Sequence, residues 1–411
     1  MEVTQRSKIW LVKSHEPLPF NQEGDRMFRM GIFYTLLERI DQYDITWWSS
    51  SFSHYRKKQV CINSYNTSEF AKVQIINSPG YSKNKSIKRF IDHTIIGLKF
   101  FVKGLKAPKP NLILCAFPIF STALATILLS KLRGIPYIID YRDKWPEVYW
   151  ENHLKGAKKR LVKIIVYPLE FLRNQILQNS WKISTISSEF LNITSAITGE
   201  RVQDRAISFS YIKNEKKEKD LTVNPTLKDF IELNKSKKIV CFIGTIGYLG
   251  DVETIYKSAT ILRESKDFCF IFCGTGDMLN HWSYKYQEEN ILNTGFVGND
   301  ELAYVLRNSS IGVLPYLDNE TWNSTIPNKL VEYLSEGLFL LCSSGPTSLM
   351  AQIITNNKIG KLYKVFDEVD LVNKLKSIKA EDLVLKNERK KIYEENFGIV
   401  KLQEELKSLL Q

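Results

Sequence analysis

Residues 325–342, with the sequence TIPNKLVEYLSEGLFLLC, decide the fold of the second half of the chain. Their apolar residues first follow the spacing of one helix face and then become continuous, which predicts a helix followed at once by a short buried strand. Ser324 or Thr325 can cap the first turn, and Pro327 suits the first helical position because the N–H it lacks would go unused there. Gly337 is the expected end of the helix.

Two charged side chains of this helix share a face. Lys329 and Glu332 are three residues apart, so both point to the same side. A helix N-terminus, an ammonium and a carboxylate together form a candidate site for a nucleotide sugar, with the diphosphate at the positive helix end and the ribose hydroxyls on the carboxylate. The alternative is an amphipathic surface helix with an ordinary Lys–Glu pair.

The composition is that of a folded protein with more than one core. The chain has 411 residues, of which 44% are hydrophobic and 25% charged, so two domains are expected. The six cysteines are scattered, mostly within apolar runs, and no group of Cys and His residues has the spacing of a zinc site. We therefore expect reduced, buried thiols, a cytoplasmic protein and no metal site.

Positive charge is concentrated in the first half of the chain. Residues 1–210 hold 31 Lys and Arg against 17 Asp and Glu, a net charge of +14, whereas residues 211–411 hold 26 against 28, a net charge of −2. Such a half is expected to meet an anionic partner. Because no nucleic-acid-binding signature accompanies the charge, a membrane surface is favoured over a nucleic acid.

One uncharged segment has nearly the length of a membrane span. Residues 112–130 contain no charged side chain, but Pro118 divides them into a strand-like and a helix-like part. We interpret the segment as a buried strand, a turn and a buried helix.

Strand-like and helix-like segments alternate in two series, which predicts two parallel, doubly wound sheets. A polar, charged segment at 211–237 separates the series and is predicted to be a linker. We expect an N-terminal domain at 1–210, a C-terminal domain at 238–395, a terminal helix at 396–411 that packs back toward the N-terminal domain, and a ligand cleft between the domains. The predicted strands are 8–12, 44–50, 73–77, 112–116, 136–140 and 181–187, then 238–244, 268–274, 293–298, 310–316 and the run after Gly337.

The first domain has two polar loops where chemistry is possible. In the loop after the first strand, Gly24 can bring backbone close to a ligand and Arg26 can reach a phosphate, although an ordinary turn with an exposed arginine fits equally. Residues 140–147, DYRDKWPE, follow another strand, and side chains at that location are often functional. An ion-paired loop is the alternative reading.

Glycine turns follow two strands of the second domain. Gly244, Thr245 and Gly247 can present backbone amides to a diphosphate, and Gly274 begins a similar turn. Glycines after strands are common, so neither turn is specific by itself.

Two basic amphipathic stretches of the first domain, 87–106 and 157–174, combine bulky apolar residues with Lys and Arg. Helices that lie in a membrane interface have this composition, and so do helices that cover a sheet.

Taken together, these motifs resemble a GT-B glycosyltransferase of family 4, similar to bacterial enzymes that build O-antigens, capsules and other envelope polysaccharides. The residues that carry the resemblance lie along nearly the whole chain. They are Gly24, Arg26, the segment 140–147, Gly244 to Gly247, Gly274 to Gly276, Gly295 to Val297 and the helix from Pro327 and Asn328 to Tyr333.

The resemblance implies a UDP- or GDP-sugar donor in the second domain. Glu332 would bind the ribose, Lys329 would offset phosphate charge, and the main chain of Phe296 and Val297 would edge the base. The Gly244–Gly247 turn and the helix start would hold the diphosphate.

It also implies the reaction class. Such enzymes need no metal or other cofactor and retain anomeric configuration while transferring a hexosyl or N-acetylhexosaminyl group to an acceptor, here a lipid-linked or polysaccharide acceptor held by the first domain. Glu332, Lys329, Arg26 and Asp143 are the expected catalytic residues. We expect a peripheral protein on the inner face of the cytoplasmic membrane.

The sequence departs from the family pattern at three places. Ser324 stands where the family has the first of two glutamates, Tyr248 and Leu249 replace a basic pair, and Arg142 replaces a histidine. The alternatives are a UDP-N-acetylglucosamine 2-epimerase, which shares the fold, and a non-catalytic membrane-associated scaffold with a transferase fold.

Overall fold

A computed structural model describes residues 6–18, 26–54, 56–60, 72–83, 86–147, 156–248 and 250–411. Gly24 and Leu249, both singled out in the sequence, lie outside the described residues. The chain forms two compact units. The first contains Met27–Ile207, Gln403–Gln411 and the segment before residue 22, and the second contains Ser208–Leu402 together with Arg26.

The first unit is built on a parallel sheet of β-strands β1 (Ser7–Val12), β2 (Tyr43–Ser50), β5 (Val73–Ile76), β6 (Leu112–Phe117), β7 (Tyr137–Tyr141), β8 (Lys182–Thr185) and β9 (Arg205–Ala206), with a small antiparallel pair, β3 (Phe52–Ser53) and β4 (Lys58–Gln59). Its helices are α1 (Arg29–Glu38), α2 (Ile87–Lys106), α3 (Phe120–Arg133), α4 (Gly156–Gln178) and α5 (Ser188–Thr198). The strand order is β5-β2-β1-β6-β7-β8-β9. From β1, the chain adds strands first toward one edge of the sheet and then, from β6 on, toward the other edge. This is the doubly wound pattern that the sequence predicts.

The segment that resembles a membrane span is a strand and a helix. It folds into β6, whose residues are all buried, and α3, which packs against both α2 and α4. Gly97 of α2 lies so close to α3 that a Cβ atom there would be 2.6 Å from the Cβ of Ser121. The interpretation of this segment as strand, turn and helix is confirmed. No helix in the described part of the chain combines the length and the apolar character that crossing a bilayer requires.

The second unit has a parallel sheet of β10 (Lys238–Ile243), β11 (Phe268–Cys273), β12 (Ile291–Gly295), β13 (Ile311–Leu314), β14 (Phe339–Cys342) and β15 (Gly360–Leu362), in the order β12-β11-β10-β13-β14-β15. Its helices are α6 (Pro225–Leu233), α7 (Val252–Ile261), α8 (Leu279–Lys285), α9 (Asn299–Asn308), α10 (Glu320–Asn323), α11 (Asn328–Ser335), α12 (Leu349–Asn356), α13 (Glu368–Lys376), α14 (Ala380–Val384) and α15 (Lys386–Phe397), and α16 (Ile399–Leu410) ends the chain. This sheet is doubly wound too, with its reversal between β10 and β13.

Several details differ from the sequence predictions. The segment 211–237 is part of the second unit rather than a linker, because α6 lies within it and buries Leu227 and Ile231. The strand predicted at 293–298 begins earlier, at Ile291. The edge strand β15 was not predicted, since three residues are too short to show a period.

Helix α11 ends as predicted but begins one residue later than predicted. Its first residue is Asn328, and Pro327 stands one position earlier, as the N-cap residue without a capping side chain. At the other end, the N–H groups of Gly337 and Leu338 donate to the carbonyls of Leu334 and Tyr333, at 2.9 and 3.0 Å. This pair of bonds is a Schellman motif, which places Gly337 in the left-handed region at φ 74°.

We expect the Gly337→Ala substitution to lower the free energy of unfolding by about 2–4 kcal/mol, more than left-handed strain alone. A Cβ atom at Gly337 would lie 2.4 Å from the backbone oxygen of Lys386, so the backbone must shift. Gly295→Ala is the matched control, because Gly295 has φ 72° and nothing within 4 Å of its Cβ position. Denaturant unfolding of both variants measures the difference, and equal losses would contradict the steric contribution.

Candidate functional site

A cavity lies at the point of the second unit where the strand order reverses. It has a volume of about 260 Å³ and opens beside the carboxyl ends of β10 and β13. Helices α7 and α11 both begin at its wall, so two helix N-termini are directed at it. Its lining residues are Arg26, Phe242, Ile243, Gly244, Thr245, Gly250, Val252, Pro315, Tyr316, Trp322, Asn328, Lys329 and Glu332.

The loop after β10 forms one wall and is held by the loop after β11. The N–H groups of Gly244 and Ile246 donate to the carbonyls of Cys273 and Thr275, at 2.8 and 3.0 Å. The two loops approach so closely that a Cβ at Gly274 would lie 1.8 Å from the carbonyl oxygen of Gly244. Gly274 therefore positions the loop by packing, without lining the cavity itself.

Lys329 places its ammonium in this cavity against the glycine turn. Its Nζ lies 2.7 Å from the position that a Cβ atom of Gly244 would take, and 4.5 and 5.1 Å from the ring centroids of Phe242 and Tyr316. Among the described residues no carboxylate lies within ion-pair distance of it. Burial lowers the pKa of Lys329 to about 8, against a smaller opposite effect of the Glu332 charge.

Glu332 is a buried carboxylate with one oxygen available. The side chain is 1% exposed, and its Oε1 accepts a hydrogen bond from Nη1 of Arg26, which forms an ion pair. Its Oε2 has no hydrogen-bond partner among the described residues. Since a buried carboxylate oxygen without a partner is costly, this atom is suited to accept bonds from a polar ligand in the cavity.

The cavity unites half of the residues that the sequence singled out. Six of the twelve predicted site residues line it: Arg26, Gly244, Thr245, Asn328, Lys329 and Glu332. The other six do not: Asp143, Gly247, Gly274, Phe296, Val297 and Pro327. Sequence reasoning missed Pro315, Tyr316 and Trp322. The first two directly follow β13, so their position after a strand was the available signal.

In the first unit, Asp140 and Arg142 of the segment 140–147 belong to an ion network. Arg29 and Arg142 both donate to the buried carboxylate of Asp140, at 3.0 and 2.6 Å, and Arg142 also donates to Glu16 at 2.5 Å. Burial alone would raise the pKa of Asp140, but the two guanidinium charges hold it well below its usual range. The ion-paired loop, kept as an alternative, therefore describes Asp140 and Arg142, while Asp143 is exposed.

Sequence comparison finds a family match within the second unit. Residues 223–397 match the family described as "Glycosyl transferases group 1". This part of the chain is thus similar to group 1 glycosyltransferases. A comparison with curated protein sequences finds no match.

Solved structures extend the resemblance in fold to the whole chain. Sucrose-phosphate synthase from Thermosynechococcus elongatus has 13% identity and a TM-score of 0.70, covering 98% of each chain. HepE from Anabaena in complex with UDP-glucose has 10% identity and a TM-score of 0.62, covering 98% of this chain and 99% of HepE. WaaG, a glycosyltransferase involved in lipopolysaccharide biosynthesis, has 12% identity and a TM-score of 0.62, covering 97% of each. The GT-B fold is thus confirmed.

We expect the affinity for a nucleoside diphosphate to fall as pH rises through about 8, because Lys329 then loses its proton and its charge. Below pH 8 the ammonium attracts the diphosphate, and above it each pH unit lowers the affinity by up to about tenfold. Lys329→Met should bind weakly without this pH dependence, and Lys257→Met, at a half-exposed lysine of the same unit, should keep it. Calorimetric titration with UDP and GDP between pH 7 and about 9.5 measures both, and a flat profile for the unsubstituted protein would contradict the role of Lys329.

Proposed function

We propose that the chain is a retaining glycosyltransferase that moves a sugar from a nucleotide sugar to a lipid-linked or polysaccharide acceptor in bacterial envelope glycan synthesis. The observation that carries the proposal is the available Oε2 atom of Glu332, buried in the same cavity as the ammonium of Lys329. That pair suits a ligand with hydroxyl groups and a diphosphate. HepE, whose structure contains UDP-glucose, and WaaG, which is involved in lipopolysaccharide biosynthesis, support this substrate class.

In this proposal the donor is bound by charge and by helix ends. The ribose hydroxyls donate to Oε2 of Glu332, while Arg26 stays on Oε1, so the ion pair need not break. The diphosphate lies against Lys329 and the amides at the starts of α7 and α11. These groups supply the positive charge for the diphosphate, and we propose that no metal ion is required. Phe296 and Val297 would contact the base, and Gly247 the diphosphate, from beyond the cavity lining.

The proposed reaction needs no side chain as a general base. The bond between the anomeric carbon and the diphosphate oxygen breaks, and the acceptor oxygen bonds to the same carbon from the same face. The acceptor proton passes to the departing diphosphate. Lys329 and Arg26 stabilise the charge that builds up on that leaving group, which is the main electrostatic demand of the step. Asp143, exposed in the first unit, is proposed to contact the acceptor.

We expect Glu332→Gln to weaken donor binding by about 10- to 100-fold, since it removes a charged acceptor of hydrogen bonds. Glu336→Gln is the matched control one turn further along, where the carboxylate pairs with Lys390 instead of lining the cavity. UDP- and GDP-sugar binding and sugar transfer to a lipid-linked acceptor are the measurements. Unchanged turnover and donor affinity in Glu332→Gln would overturn the donor site. Turnover of a UDP-sugar that needs no acceptor would favour an epimerase, and failure to bind any nucleotide sugar would favour a scaffold.

We also propose a peripheral attachment to the inner face of the cytoplasmic membrane through α2, α3 and α4. These helices pack side by side and leave bulky apolar side chains exposed. On α2 the exposed set recurs at helical spacing, which forms a stripe along one side. The exposed residues are Ile87, Phe90, Ile91, Leu98, Val102 and Leu105 on α2, Leu128 and Leu132 on α3, and Leu161, Ile164, Ile165, Tyr167 and Phe171 on α4.

The same helices carry the positive charge that an anionic lipid surface attracts. Lys88, Lys99 and Lys103 on α2 and Lys158 and Lys163 on α4 are exposed beside these apolar residues. Exposed apolar residues flanked by lysines match a membrane interface better than open solvent.

The Phe90→Asp and Leu98→Asp double variant should bind anionic vesicles at least tenfold more weakly, because it removes two side chains that are 73% and 62% exposed in the protein and would enter the lipid. Leu233→Asp is the matched control, since Leu233 is 82% exposed in the second unit. Vesicle co-sedimentation at low salt gives the affinities. If the unsubstituted protein stays in the supernatant under these conditions, the membrane proposal fails.

A further inference from the structure

Two histidines and an aspartate of the first unit place metal-binding atoms close together, and we call these three residues the His15 site. His15 follows β1, while Asp92 and His93 are adjacent on α2. One ligand atom from each residue lies within 4.8 Å of the other two. None of the three has a part in the proposed donor site, whose lining lies in the second unit.

The hydrogen bond between His15 and Asp92 is the fixed part of this site. Nε2 of His15 lies 2.8 Å from Oδ2 of Asp92, and the two side chains are 7% and 0% exposed. The other carboxylate oxygen, Oδ1, accepts from the N–H of Gly80 at 2.7 Å. Carboxylates that bind metal ions are commonly oriented by such an outer hydrogen bond. Asp92 is therefore held with one oxygen directed at the imidazole of His15.

His93 supplies the third ligand and is not explained by this pair. Its ring centroid lies 5.0 Å from that of His15. Its carbonyl accepts a hydrogen bond from Oγ of Ser121, but within the described residues its imidazole makes ring contacts and no hydrogen bond. A His–Asp pair that served only the core would not need a second imidazole beside it. An imidazole whose nitrogens make no hydrogen bond is suited to bind an ion.

The three ligand atoms need only small movements to surround one ion. Zinc binds imidazole nitrogens and carboxylate oxygens at about 2.0–2.2 Å, so two ligand atoms at a tetrahedral angle are about 3.3 Å apart. The atoms of His15 and Asp92 that now share a proton at 2.8 Å would separate by about half an ångström around the ion. The most distant ligand atoms, within 4.8 Å, would approach by about 1.5 Å at most. Rotation of the partly exposed His93 side chain can supply this change.

The surroundings of the site are apolar on one side. The rings of Phe52 and Tyr81, both buried, lie 6.1 and 5.9 Å from the ring of His15. An apolar shell keeps water away and lowers the local dielectric constant, which strengthens the attraction between a carboxylate and a cation. The backbone of His15 lies in the left-handed region, at φ 70°, where residues of functional sites are concentrated.

Two cationic side chains oppose an ion at this site. Lys13 and Arg89 both act electrostatically on His15 and on His93. The site itself contributes one carboxylate, that of Asp92. We therefore expect micromolar affinity for a divalent ion rather than the much tighter binding of a closed structural site with four ligands.

The ligand types favour zinc among the common metal ions. Magnesium and calcium prefer sites made of oxygen atoms, whereas imidazole suits zinc and its transition-metal neighbours. Sites with two imidazoles and one carboxylate can hold zinc and leave its fourth position to water or a substrate.

We propose that His15, Asp92 and His93 bind a Zn²⁺ ion that joins the end of β1 to α2 and keeps one coordination position open. The ion belongs to the first unit, and the donor site proposed for the second unit still needs no metal. The sequence predicted no metal site because these ligands come from two segments 77 residues apart, without the close Cys and His spacing of a zinc motif. Because α2 also carries the exposed apolar stripe, the ion fixes the proposed membrane-binding helix to the sheet.

The first test is calorimetric titration with Zn²⁺ of the full chain, freed of metal by a chelator. The unsubstituted protein should bind one ion per chain with micromolar affinity, and His93→Gln should bind it at least tenfold more weakly. His93→Gln changes a partly exposed residue and leaves the bond between His15 and Asp92 in place, so the fold should persist. His281→Gln is the matched control, because His281 is exposed on α8 in the second unit. Absence of zinc binding, or a loss caused by His281→Gln and not by His93→Gln, would overturn the proposal.

The second test uses Co²⁺ absorption and thermal unfolding. Co²⁺ at this site should show the strong visible bands of a four-coordinate ion, which Zn²⁺ abolishes by displacing it and which His93→Gln lacks. Zn²⁺ at about 100 times its dissociation constant should raise Tm by about 5 °C through mass action. His93→Gln should unfold at the same temperature as the unsubstituted protein without metal and respond less to Zn²⁺. Only the weak bands of a six-coordinate ion, or an equal rise of Tm in both proteins, would contradict the site.

Discussion

The buried carboxylate of Glu332 is the constraint on which the cavity of the second unit depends. Removing a carboxylate from water costs several kcal/mol unless other charges and hydrogen bonds compensate. Arg26 satisfies one oxygen, although it is more than three hundred residues away in the sequence. The second oxygen remains without a bond. A protein selected only for stability would have filled or neutralised this position, so the available oxygen argues for a ligand rather than for a structural role.

The neighbouring glycines make room for the ammonium of Lys329 in the same cavity as this carboxylate. Lys329 occupies the space that a side chain at Gly244 would need, and Gly274 allows the next loop to support Gly244 from behind. The ammonium is therefore held by packing and by aromatic rings rather than by an acid. This is why burial can lower the pKa of Lys329 to about 8, and why an anion in the cavity would reverse that effect.

The sequence predicted those features of the fold and of the cavity that depend on residues close together in the chain. The buried strands, the helix α11 and its glycine stop were predicted because each is encoded by a short periodic pattern or by one glycine. Lys329 and Glu332 were found because they are three residues apart on one helix. Tyr316 was missed although it directly follows a strand. Trp322 was missed because its place in the cavity depends on β13 lying beside β10, and no local pattern records that pairing.

The two units have the same core strand order and have polar groups at the same topological place, yet the bonding of their buried carboxylates differs. In the second unit a buried carboxylate limits the positive potential and leaves one acceptor atom for hydroxyl groups. In the first unit each oxygen of the buried carboxylate of Asp92 has a partner, one a histidine and the other a backbone amide. The arrangement in the second unit suits a ligand that combines hydroxyls with phosphates. The reversal of strand order places a crevice in each sheet. Whether the buried carboxylate beside it keeps an oxygen available then decides which ligand groups that crevice can accept.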